Sequence, residues 1–301
     1  MLTAAATRGL AHLTDTLHLP DVTREPIRTW SRSGVERLRL PDSTTLVYKY
    51  AAAPFTDEAT TLRHLAAHRI PVPTVHAATI TTGVLGMILD DLGPTTRHPT
   101  AQDAATAAAQ LHTAPPLPSL RTLDEHGLRA LPHRAIAHLR QLAARRQPTA
   151  DLLALLTALR AAAAPRAADA HLAPFTICHS ELHPTSLHIS GDRWHLLDVA
   201  GAFNGPGILD LATWHGTRHP PQPARLRHLL HTYVDAGGHP DALTPRAGLP
   251  AETWALAWHR IWAAETLLHQ ATLTTTPATP HTLTAIRRQA TGALRLFTPP
   301  P

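Results

Sequence analysis

One cysteine, one lysine and one asparagine are all that the 301 residues provide of these three types. The single thiol, Cys178, excludes an internal disulfide and a cysteine-based zinc site. No run of about 18 apolar residues occurs, so no membrane span is expected, and Met1 to Leu10 lack the apolar stretch of a secretory signal. A cytoplasmic location is the resulting expectation. Aromatic residues are only 4% of the chain and the arginines are scattered rather than striped, so nucleic-acid binding is not expected despite a net charge of +5. Scarce Lys and Asn, with abundant Ala, Arg, Pro, His and Thr, is the composition a GC-rich genome produces. Such drift turns tolerant lysines into arginines. The survivor, Lys49, is therefore worth asking about, because an Arg cannot replace a Lys where a compact ammonium must reach one point in a tight site.

With 44% hydrophobic residues the chain has enough apolar surface for a real core, in one large domain or two lobes. Residues 1–91 carry 9 basic and 9 acidic groups, so residues 92–301 hold the whole +5. The pattern changes at the same place. Arg28 to Ser33, Arg37 to Leu40 and Thr44 to Tyr50 read as antiparallel strands with turns at Gly34 and Pro41-Asp42. Thr56 reads as the cap of a helix that carries Asp57 and Glu58 in its first turn and runs to Ile70, before Pro71 and Pro73. Val84 to Leu89 reads as another strand and Asp90 to Pro94 as a linker. Helices follow at Thr100 to Thr113, His133 to Arg146 and Asp151 to Ala164. A strand-turn-strand insert is expected over Phe175 to Cys178, Leu187 to Ile189 and Trp194 to Leu197. Helices resume at Ile208 to Trp214, Pro223 to Asp235, Ala251 to Leu273 and Pro280 to Phe297.

The densest polar cluster is His179-Ser180-Glu181-Leu182-His183-Pro184-Thr185-Ser186, followed by Asp198 at the end of Trp-His-Leu-Leu-Asp. Here the chain resembles the aminoglycoside phosphotransferase and choline kinase group of the protein-kinase-like superfamily, whose catalytic loop reads His-x-Asp-Leu-His-Pro-x-Asn. The resemblance extends in order over Lys49, Glu58, Val72-Pro73, Leu89 to Leu92, Leu111-His112 and Asp210-Leu211-Ala212. It implies an α+β, two-lobed kinase-like fold, with a small β-rich nucleotide lobe at 1–91 and a larger helical lobe with the acceptor site at 92–301. It also implies ATP and Mg²⁺ as cofactors. Lys49 would hold the phosphates, Glu58 would fix Lys49, and Ser33 and Gly34 would belong to the nucleotide loop. Glu181 would act on the acceptor hydroxyl, His179 and His183 would support the loop, and Asp198 with Ser186 would ligate the metal. Asp210 would brace the loop backbone.

The residues allow this chemistry and leave alternatives. Glu58, Leu62 and Leu65 fall on one helix face, so the carboxylate is either buried against a partner such as Lys49 or exposed and merely complementing the helix dipole. Asp198 is a metal ligand or a turn former, and Asp210 can cap its helix. Residues 31–35 alone would read as a hairpin. Two positions depart from the family pattern, with Glu181 in place of Asp and Ser186 in place of Asn. Glu moves the charge by roughly one ångström, and a misplacement of that size can cost about a hundredfold. Asn204 is a conceivable substitute ligand.

The first reading is an ATP-dependent phosphotransferase acting on a hydroxyl of a small molecule or natural-product intermediate. A polycationic aminoglycoside is disfavoured because the helical lobe carries the +5. Alternatives are a degenerate kinase-like protein that binds nucleotide or ligand without efficient catalysis, and a Ser/Thr kinase of a precursor peptide. A metal hydrolase built on Cys178, His179, His183 and His188 lacks the His-Glu-x-x-His spacing.

Overall fold

Tyr48 and Tyr50 share one face of a strand, and that face is covered by a helix at the start of the chain. In the computed structural model, which describes residues 2–144, 149–273 and 278–298, this helix is α1 (Leu2–Thr16). Its Ala5, Ala6, Leu10 and Leu13 pack on Leu38, Tyr48, Tyr50 and Ile88, and the buried Tyr48 hydroxyl donates to the Ala6 carbonyl at 2.6 Å. The sheet beneath is β1 (Thr23–Thr29), β2 (Ser33–Arg39), β3 (Thr45–Ala52), β4 (Val75–Thr81) and β5 (Val84–Asp90). All its pairings are antiparallel, in the order β1-β2-β3-β5-β4.

Gly34 is not the turn residue the sequence suggested. It lies inside β2 opposite Tyr50, and a Cβ there would sit 2.3 Å from the Tyr50 hydroxyl. Close approach, not a turn conformation, is what requires glycine, and the turn falls at residues 30–33. The helix after β3 is α2 (Glu58–Ala67), shorter than expected. Asp57 rather than Thr56 stands at its N-cap, with no side-chain cap bond. α1 and β4 were not anticipated.

The chain divides into two compact units. One comprises Met1–Pro99 with Pro184–Ala202, and the other Thr100–His183 with Phe203–Pro301. The first unit thus includes the hairpin β7 (Leu187–Ser190) and β8 (Arg193–Leu196). In the second, β6 (Phe175–Cys178) pairs antiparallel with β9 (Phe203–Pro206), so β6 is not part of a three-strand insert.

The helices of the second unit are α3 (Ala101–Leu111), α4 (Glu125–Ala143), α5 (Ala150–Ala163), α6 (Ile208–Thr213), α7 (Pro223–Asp235), α8 (Ala251–Thr272) and α9 (Pro280–Phe297). α3 opens on a capping box between Thr100 and Asp103. α4 starts well before His133, at an Asp124 cap whose side chain accepts from Gly127 N, and carries Pro132 within it. Its expected end at Arg146 lies outside the described residues. No described helix is long and apolar enough to cross a membrane.

Candidate active site

Because Tyr48 and Tyr50 face α1, the pleat sends the intervening Lys49 to the opposite face of the sheet. There it meets Glu58, the first residue of α2. Lys49 Nζ donates to Glu58 Oε1 and to Asp198 Oδ1, each at 2.7 Å. Lys49 and Glu58 are buried, whereas half of the Asp198 side chain is exposed. Burial alone would push the ammonium's pKa down, but Glu58 and Asp198 outweigh it and hold the value above the ordinary lysine range. Burial pushes Glu58 up, against the pull of Lys49. An isolated buried carboxylate would cost several kcal/mol, about as much as ion pairing has to recover. Two carboxylates around one ammonium leave a surplus negative charge at this point.

Asp198 reaches Lys49 from the end of the β7–β8 hairpin. Leu197 N donates to Ser186 O at 2.8 Å, extending the ladder that pairs Leu187 with Leu196. Ser186, buried at the end of a short 3₁₀ turn (Pro184–Ser186), is thereby held beside the strand that delivers Asp198. Asp198 has φ 62°, a left-handed conformation that costs a non-glycine residue free energy and concentrates at functional sites.

A cavity of about 330 Å³ in this same unit is lined by Lys49, Glu58 and Asp198 together with apolar Val35, Val47, Leu62, Leu89 and Leu197. Trp30 and Val35 border it, but Ser33 and Gly34 do not. Arg37 lines it as well and had no role in the sequence reading, whereas Asp91 stood there only as part of the linker and His188 only in the hydrolase alternative. Arg37 Nε donates to Asp91 Oδ2 at 2.6 Å, and Asp91 Oδ1 accepts from Gly93 N, which fixes the 91–93 segment. His188 also lines the cavity.

In the second unit, β6 delivers the loop that begins at His179. His179 is buried, and its Nδ1 accepts from the Glu181 backbone N–H at 3.3 Å, which places the proton of a neutral ring on Nε2. Asp210 is fully buried and accepts from His179 N at 2.7 Å and Ser180 N at 2.8 Å. It is the third residue of α6 rather than its cap, a position held by Gly207. The carboxylate spends its acceptors on the loop instead. Thr213 Oγ1 adds a bond to Leu182 O. Ser180 has φ 75°, and Glu181 is exposed on this unit with His183 partly so.

Behind Asp210, His112 Nε2 lies 3.3 Å from Oδ2, and His112 Nδ1 lies 3.1 Å from the Tyr233 hydroxyl. Asn204 is not a candidate ligand. Its Oδ1 accepts from Leu117 N and its Nδ2 donates to Leu117 O, both at 2.9 Å, so its amide serves to pin the 117–120 segment. Cys178 is buried with its thiol pushed well above the usual range by burial. Among the described residues no three His, Cys, Asp or Glu side chains gather as a metal site, which leaves the hydrolase reading without a centre.

The profile of the phosphotransferase enzyme family matches residues 28–249. No curated protein matches the chain. Among solved structures it is similar to the streptomycin–ATP–APH(2″)-IIa ternary complex, with 11% identity over 96% of this chain and 97% of that one and a TM-score of 0.61. It is also similar to ethanolamine kinase of Plasmodium vivax, with 11% identity over 92% and 84% and a TM-score of 0.60. A macrolide 2′-phosphotransferase from Brachybacterium faecium shares 18% identity over 97% of each chain, with a TM-score of 0.54. These likenesses show the fold.

Proposed function

The chain belongs to the phosphotransferase enzyme family, and from that premise we propose that it transfers the γ-phosphate of ATP to a hydroxyl of a small molecule. The observation that carries this reading is the Lys49 ammonium, 2.7 Å from both Glu58 and Asp198 on the wall of an otherwise largely apolar cavity. Phosphoryl transfer asks the protein chiefly for positioning and charge. Lys49 binds the α- and β-phosphate oxygens, and Glu58 keeps the ammonium aimed and charged. Glu181 orients the acceptor hydroxyl and takes its proton as the oxygen forms its bond to Pγ. The bond from Pγ to the β–γ bridging oxygen breaks and ADP leaves. Asp210 holds the backbone of residues 179–180 so that Glu181 is presented the same way in each turnover.

The donor set fits Mg²⁺. Asp198 and Ser186 offer hard oxygen ligands on adjoining strand ends beside a surplus negative charge, and Mg²⁺ typically takes one or two carboxylates with substrate phosphates and water. Bound there, it supplies charge neutralisation on the phosphates. Asp198→Ala should abolish acceptor-dependent ATP turnover while the fold persists. Lys49→Ala should abolish it with a loss of stability, because Glu58 is left buried without its cation. Full activity in both variants would sink the proposal.

The Glu181 and Ser186 replacements favour a second reading, a member of the family that retains nucleotide binding with little catalysis. Restoring the family pair by Glu181→Asp with Ser186→Asn discriminates. Activity that appears only in the double variant marks the natural chain as degenerate. Activity that falls marks Glu/Ser as a working pair.

A further inference from the structure

On the second unit a buried carboxylate is over-supplied with cations. Glu265 of α8 is only 3% exposed. Arg121 Nη1 lies 3.4 Å from its Oε2, Arg134 Nε 3.4 Å from its Oε1, and His138 Nε2 3.5 Å from the same oxygen. All three contacts are long for charge-assisted hydrogen bonds, which run at about 2.7–2.9 Å. Arg121 Nη2 and Arg134 Nε are buried and find no hydrogen-bond acceptor. Such orphaned donors carry a desolvation cost that a bound acceptor atom would remove. About one-third of each arginine side chain is exposed, while the two orphaned nitrogens lie on the buried side. Burial pushes the His138 pKa down, so at neutral pH the balance is two cations against one anion.

The cluster has an aromatic wall. The Arg121 guanidinium lies 4.9 Å over the Trp262 ring, and Trp262 packs on Phe203 at 4.8 Å. Phe203 pairs with Cys178 across β6 and β9, and Asn204 N donates to Arg121 O. Paired strands lie about 5 Å apart, and the three residues from Cys178 to Glu181 span on the order of 10 Å at most. Arg121 and Glu181 therefore belong to the same unit and are joined by a backbone path on the order of 20 Å at most.

We propose that Arg121 and Arg134 bind an oxyanion, a carboxylate or a phosphate, on the acceptor, so that the substrate is a hydroxylated acid with Trp262 against its apolar part. This rests on the phosphotransferase reading for the word acceptor, but the anion site itself does not.

The test is calorimetric titration of the nucleotide-free protein with glycerate, glycerol 3-phosphate and glycerol. The first two separate carboxylate from phosphate, and glycerol lacks the charge. At least one anion should bind tenfold or more tightly than glycerol. Arg121→Gln should weaken that anion about tenfold, the worth of a hydrogen bond to a charged group, and leave affinity for Mg·AMP-PNP unchanged. Glu265→Gln, which removes the internal competitor, should strengthen anion binding several-fold, an outcome that a purely structural role for the two arginines does not produce. If Arg121→Gln does not fold, Arg134→Gln and Glu265→Gln decide. Equal binding of glycerol and both anions, or anion binding indifferent to these substitutions, overturns the proposal. Failure to bind Mg·AMP-PNP overturns the phosphotransferase reading instead and leaves the anion result standing by itself.

Discussion

Asp210 and His179 are thirty-one residues apart in sequence, yet the Asp210 carboxylate accepts from the His179 backbone N–H at 2.7 Å, and from that of Ser180 at 2.8 Å. Both amides are buried in a loop with no strand partner of its own, so this one side chain satisfies them. Asp210→Ala would leave two buried donors unpaired, at about 1–3 kcal/mol each. Denaturant unfolding should report a loss in that range or larger. Phosphoryl transfer should fall about a hundredfold through displacement of Glu181, with affinity for Mg·AMP-PNP nearly intact. Asp210→Asn, which keeps one acceptor, should fall between.

Tyr233 acts on the same carboxylate at one remove, through His112. Tyr233→Phe deletes two hydrogen bonds of the hydroxyl, with His112 Nδ1 and from His239 N, and leaves the ring in place, so stability should drop by about 1–2 kcal/mol. The change should lower kcat more than it raises KM, because the loop loses orientation rather than a substrate contact. Equal kcat in the variant would show that the His112 ring is held by packing alone.

Gly34→Ala places a methyl carbon 2.3 Å from the Tyr50 hydroxyl. The ring is pinned between β2 and α1, so overpacking should cost about 1–3 kcal/mol, read by chemical denaturation. A variant as stable as the parent would mean that Tyr50 can swing aside.

His259 is buried and its pKa is pushed down to about 4, first by burial and then by Arg260. The unfolded chain binds a proton at this residue below about 6.5, while the folded chain does not until about pH 4. The sign is therefore fixed: this contribution is complete above pH 6.5 and is lost as pH falls through 6.5 towards 4. His259→Gln should flatten the stability profile over that window by up to about 3 kcal/mol relative to the parent. Parallel profiles for the two proteins would refute the assignment.

What could be read from the sequence was local. The 179–186 cluster and Asp198 stand within twenty residues of one another, and Lys49 stood out because drift had removed every other lysine. The boundaries of α7 and α9 were legible because proline opens each helix and the apolar period runs unbroken. β4 was missed because an edge strand with mixed burial carries little alternation, and β9 because four buried residues, Phe-Asn-Gly-Pro, carry none. Gly34 was misread because one glycine looks the same whether it supplies a turn or makes room for a ring. The arginine cluster had no sequence signature at all. Glu265 is far in sequence from Arg121 and Arg134, and it takes the packing of α4 against α8, with Asn204 N holding the Arg121 carbonyl, to bring them together.

The central claim is that Lys49 is the phosphate-binding ammonium, and Lys49→Arg tests it most directly because charge is kept and only shape changes. Phosphoryl transfer from γ-labelled ATP to a panel of hydroxylated acids and neutral alcohols should be detectable in the parent. In Lys49→Arg it should fall at least about a hundredfold, since the planar fork cannot occupy the point between Glu58 and Asp198. Transfer at the parental rate in Lys49→Arg would contradict the account.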